Sequence, residues 1–143
     1  MKNRKVLKIY LIIAGLLLTL IGGATLFLPV DIKAAAGIDL AGNASLLNDF
    51  RASAAMILAF GILIFSGALV KSIRFTAVLL SAVVFLSLGL GRLLSILLDG
   101  MPVQDMVMAT GLEFVLGITG AILFLAHKNS NAGKNDASNY SFH

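Results

Sequence analysis

The residues best equipped for chemistry are Asn48, Asp49 and Arg51, then Arg92, Ser95 and Asp99, then Glu113. All lie in or beside runs that are otherwise hydrocarbon. Arginine set against carboxylate can form an internal ion pair, or grip the phosphate or carboxylate of a ligand. A carboxylate in such a place can also carry a proton or an ion. The most unusual of these residues is Arg92, in the string GLGRLLSILLDGMP of residues 89–102.

Helical spacing puts Ser81, Phe85, Leu88, Arg92, Ser95 and Asp99 on one stripe, by alternating steps of four and three. Arg92 then stands about 9 Å below the mouth of its helix, at ~1.5 Å per residue. An arginine at mid-membrane costs about 2.5–3.5 kcal/mol, and each Leu, Ile, Phe or Val returns about 0.3–0.6. The surrounding run is rich enough in those residues to insert with the arginine, which must then face the bundle interior or a wet cavity. Asp99, at a helix C-terminus, opposes the macrodipole and wants a cation nearby. Arg92 lies within reach of it through Ser95, and Arg51, at the outer end of the second run, is a second candidate. Glu113, in the next run, comes to a depth like that of Arg92, and the spacing predicts an ion pair between Glu113 and either Arg92 or Arg51. Thr110, Gly117 and Gly120 share the face of Glu113 and let a neighbouring backbone approach.

Other chemistries lack their residues. The chain has no cysteine, which excludes disulfides and thiolate nucleophiles. No His/Asp/Glu set has metal-ligand spacing, and no cofactor is implied. The histidines, His127 and His143, lie at the opposite end from the acids, so no Ser/His/Asp arrangement exists. The GLG of Gly89–Gly91 lacks the setting of a nucleotide fingerprint and reads as a close-packing or kinking point.

The elements that must position these groups follow from composition. Of 143 residues, 59% are hydrophobic and 13% charged, with mean hydropathy +0.98. Too few polar residues exist to cover an apolar core, which points to a membrane protein. The expected fold is an all-α, integral membrane, antiparallel four-helix bundle with spans at about residues 9–30, 50–70, 75–98 and 103–126. Each approaches the ~20 residues a crossing helix needs. The first run is longer than the ~7–15 residues of a signal-peptide core, so it is expected to be an uncleaved span. Pro102 suits the first position of the fourth helix. Residues 128–143 form a polar tail expected to be disordered.

The net charge of +4 does not mark a nucleic-acid binder. Lys2, Arg4, Lys5, Lys8, Lys71, Arg74, Lys128 and Lys134 lie at run ends or in terminal segments, as topology signals do. They place both termini in the cytoplasm. The segments 31–48 and 99–105 lie outside, with one basic residue between them, Lys33. The outer segment 31–48 is expected to form a short helix or cap at the interface.

The NDFR of residues 48–51, the string GLGRLLSILLDGMP and Glu113 together resemble the bacterial family catalogued as domain of unknown function 4345. The resemblance covers about residues 9–126. It implies a small four-span membrane protein without assigned activity, in which Arg51, Arg92, Ser95, Asp99, Gly100, Pro102 and Glu113 match the motif positions.

The function expected is therefore that of a non-enzymatic module whose outer polar cluster binds a small anionic or lipid-like ligand, or fixes the bundle. The alternative is a proton- or ion-coupled transporter unit using Glu113. Partners expected are the bilayer, a lipid or small anion, and a second copy or another membrane subunit. Nucleic acid is not among them.

Overall fold

The computed structural model describes the backbone of residues 2–139 and the side chains of residues 5–128. It is all-helical: α1 (Lys2–Phe27), the short α2 (Pro29–Ala35), α3 (Ala44–Leu69), α4 (Arg74–Asp99) and α5 (Gln104–Asn139). Four segments are long and apolar enough to cross a membrane: Lys5–Phe27, Ala44–Leu69, Lys71–Asp99 and Gln104–Lys128. These are the helices of a multi-pass membrane protein, and many large apolar side chains on them point outward, Leu20, Leu63, Leu94 and Val115 among them.

Local chemistry sets the ends of these helices. A residue before proline is kept out of the α region. Leu28, before Pro29, has φ −124° and ψ 52°, and there α1 stops. The first span is therefore shorter at this end than expected, and Pro29 opens α2 instead. α2 closes in a Schellman turn: Ile38 N–H donates to Lys33 O and Gly37 N–H to Ala34 O, both at 2.9 Å, with Gly37 at φ +77°. Asn43 then caps α3, its Oδ1 accepting from Leu46 N–H at 3.0 Å. That cap starts α3 six residues before the expected Phe50, so NDFR lies inside the helix rather than at its opening.

A 3-10 turn (Lys71–Ile73) joins α3 to α4. Arg74 secures it, with Nε donating to Gly67 O at 3.1 Å and Nη2 to Ala68 O at 3.0 Å, so its guanidinium takes up carbonyls that the end of α3 leaves over. α4 is unbroken through Gly89 and Gly91, so GLG is no kink. Gly89 is a close-packing point: a Cβ there would stand 3.3 Å from the Phe114 ring. Pro102 is not the first helical residue, since α5 begins at Gln104. α5 is helical as far as Asn139. Tyr140–His143 lie outside the described residues.

The most extensive helix contacts are α1 with α3 and α4 with α5, and α3 and α4 meet along a smaller seam. In the first pair Gly15 meets Phe65, Gly61 meets Thr19 and Gly22 meets Leu58, so the two helices run in opposite directions. A Cβ on any of the three glycines would stand 2.5 Å from a backbone nitrogen of the partner. Small residues matter here because packing, not water exclusion, holds helices together in lipid. The core around this seam contains Leu11, Ala14, Ile64, Val78 and Phe85.

One buried polar knot ties three helices. Tyr10 Oη donates to Leu116 O at 2.9 Å and lies 2.7 Å from Ser81 Oγ. The tyrosine has a single hydroxyl proton, so Ser81 must be the donor in the second bond.

Replacing Gly61 by leucine should destabilise the protein by about 1–3 kcal/mol, the usual result of overpacking a tight seam. The thermal midpoint in detergent measures this, and a midpoint equal to that of the unaltered protein would contradict the backbone contact.

Candidate functional site

Glu113 and Arg92 meet across the α4/α5 seam. Two contacts between these helices set the register: Gly117 lies against Leu86, and Gly120 against Ala82 and the Tyr10 hydroxyl. The backbones approach closely there, as the small residues on the Glu113 face allow. The same register brings Arg92 Nε to 3.0 Å from Glu113 Oε1. The two partners differ in access: the Arg92 side chain is 39% exposed and that of Glu113 is 10% exposed. Glu113 Oε2 is buried without a hydrogen-bond partner. Thr110, one turn away, is buried and satisfies itself on Met106 O at 2.8 Å.

A cavity of about 90 Å³ lies beside the pair. All four long helices line it, through residues such as Leu18, Ile57, Leu88 and Leu112, and Arg92 and Glu113 are the charged groups on its wall. Liquid water occupies about 30 Å³ per molecule, so the space is on the scale of a few waters or one small polar group.

The remaining candidates stand apart from this pair. Arg51 is exposed and makes no ion pair among the described residues, so of the two arginines it is Arg92 that meets Glu113. Asn48 and Asp49 are likewise exposed. Asp99, the last residue of α4, is not bound to Arg92. It accepts from Ser95 Oγ at 2.9 Å, on the exposed part of the stripe. One helical turn is enough to satisfy Asp99 locally, and Arg92 turns instead to the buried acid.

Lys33 was missed as a candidate. It projects from α2 over the Phe50 ring, 4.5 Å from its centroid, and is half-buried. Its pKa is lowered from 10.5, first by burial and then by repulsion from the Arg92 charge. Lys33 is therefore near enough to Arg92 for the two charges to repel, while Glu113 pairs with Arg92. The signal in the sequence was that Lys33 is the single basic residue in segments otherwise acidic.

Residues 6–124 match the family described as Domain of unknown function (DUF4345). The chain belongs to this family. The match takes in every residue of the polar cluster, and membership carries no assigned reaction. No curated protein and no solved structure matches the DUF4345 chain.

Arg92→Gln and Glu113→Gln should not add when combined. The half-open setting of Arg92 moderates the pair, so a coupling of about 0.5–1 kcal/mol is expected from a double-mutant cycle on unfolding in detergent. Strictly additive losses would mean that the contact contributes nothing.

Proposed function

We propose that this member of the DUF4345 family is a non-enzymatic, multi-pass module of a bacterial inner membrane, with both termini in the cytoplasm. Its outer end would bind the anionic group of a small or lipid-like ligand. The observation that carries this is the one-sided engagement of Arg92: Glu113 meets it through Nε alone, beside a cavity of about 90 Å³. Lys33, on a separate element, is near enough for the Arg92 charge to lower its pKa. The guanidinium has five N–H donors in a fixed fork, and its Nη groups are left over for a phosphate or carboxylate. α2 carries Lys33 across the end of the bundle, where Gly37 also approaches Val103, so the site would open between that cap and α4. Basic residues in the termini and the α3/α4 turn support the orientation by the positive-inside rule.

The test titrates dihexanoyl phosphatidylglycerol into the full chain in neutral detergent, following amide shifts in α2 and the last turns of α4. Lys33→Gln and Arg92→Gln should each weaken binding about fivefold, the worth of one basic residue against an anionic headgroup. Unchanged affinity in both variants would overturn the reading.

The pH dependence has a defined sign. The protonated lysine is the binder, and its pKa in the empty protein lies below 10.5. Affinity should therefore be full below that lowered value and fall as pH rises through it, sooner than an ordinary lysine would dictate. The phosphodiester probe does not titrate there, and Lys33→Gln should abolish the dependence.

The unpartnered Oε2 of Glu113 favours a second reading, in which this carboxylate carries a proton or ion through the bundle. Ion flux into proteoliposomes should then be lost in Glu113→Gln. Flux that survives the substitution would sink this alternative.

A further inference from the structure

At the other end of the bundle lies a larger cavity, about 230 Å³, that the polar cluster does not touch. Its walls have two characters. Lys71, Arg74 and His127 line it with cationic or hydrogen-bonding groups, while side chains such as Leu7, Val78 and Leu123 supply hydrocarbon. The aromatic wall is built: Phe75 and Phe124 stack with centroids 4.4 Å apart, and the His127 ring leans on Phe75 at 5.7 Å.

Arg74 is held in place by the end of α3. Its Nε and one Nη2 hydrogen are committed to Gly67 O and Ala68 O. Three of its five N–H donors, two on Nη1 and one on Nη2, are then left to another acceptor. Among the described side chains no carboxylate lies at this end, since Asp31, Asp39, Asp49, Asp99, Asp105 and Glu113 all belong to the other half. Lys5, Lys8 and Lys128 add further positive charge. Topology signals need positive charge at the helix ends, but they need no cavity with an apolar floor and stacked rings.

We propose that this cavity binds the phosphate headgroup of an anionic phospholipid, with the first carbons of its chains against Leu7, Val78 and Leu123. Pockets for whole drug-sized ligands begin at roughly 300 Å³, so the space suits a headgroup whose chains continue along the outside of the bundle. Lys71 and Arg74 contact the phosphate from the α3/α4 turn, and His127 closes on it from α5. The lipid thereby bridges α4 to α5 at the end where Arg92 and Glu113 cannot hold them.

Native mass spectrometry of the full chain with phosphatidylglycerol and phosphatidylcholine of equal chain length tests this. Phosphatidylglycerol should be retained and phosphatidylcholine stripped. The Lys71→Gln/His127→Gln double variant should lose affinity, about fivefold for the lysine charge alone. Lys71→Arg in place of Lys71→Gln should restore most of that loss, which separates a folding defect from a lost contact. Lys128→Gln removes the same charge from the same end without lining the cavity, and should leave retention intact. Equal retention of the two lipids, no change in the double variant, no rescue by arginine, or an equal loss in Lys128→Gln would each overturn the assignment. Excess inorganic phosphate should fail to displace the lipid. Complete displacement would make this a free-anion site and overturn the phospholipid assignment.

Discussion

Arg92 and Glu113 hold one another because an apolar surrounding leaves each with no better partner. In water such a pair contributes little, since both ions are already well solvated. In a bundle of hydrocarbon side chains a lone carboxylate would be costly, and so would a lone guanidinium. The pair fixes the register of α5 on α4, because a screw shift of α5 by one residue would turn Glu113 by about 100° away from Arg92. The packing of Gly117 on Leu86 and of Gly120 on Ala82 agrees with that register. Charge and small-residue packing therefore demand the same alignment of these helices, and consistency between independent constraints is what selects one structure.

The α1/α3 pair solves the same problem without charge. Its helices interlock through Gly15, Gly22 and Gly61, each a site where backbone meets backbone. The Tyr10 knot then joins the two halves, since its hydroxyl belongs to α1 while its partners belong to α4 and α5. Tyr10 and Ser81 are both buried; the Tyr10 hydroxyl is held by Leu116 O as well as by Ser81, and it is the partner that satisfies the Ser81 hydroxyl in the core.

How much of this was legible depends on the range of the interaction. The long helices were readable because twenty apolar residues in a row have few alternatives. Arg92 and Glu113 were readable as candidates because ionisable residues are rare in such runs, and helical spacing gave their approximate depth. Arg51 and Asp99 looked equally suitable, yet neither joins the pair. Their status turns on rotation about the helix axis and on local options: Asp99 has Ser95 one turn away, and Arg51 faces outward. The early start of α3 turned on a single side chain, Asn43, whose capping bond the apolar pattern could not reveal. Lys33 was visible as an oddity of charge, but its approach to Arg92 depends on where α2 folds back, which no periodicity encodes.

Lys33 is the residue that bears most directly on the proposed anion site. A purely structural cluster should end with its charges matched, because unmatched buried charge is destabilising. Glu113 answers Arg92, but among the described residues no carboxylate pairs with Lys33. The lysine is instead partly buried against Phe50 and close enough to Arg92 for repulsion to lower its pKa. The Schellman turn at Gly37 closes the helix that bears it, so this is not a loose surface chain. A cation held beside another cation, with its own counter-charge missing, is an arrangement that a bound anion would relieve.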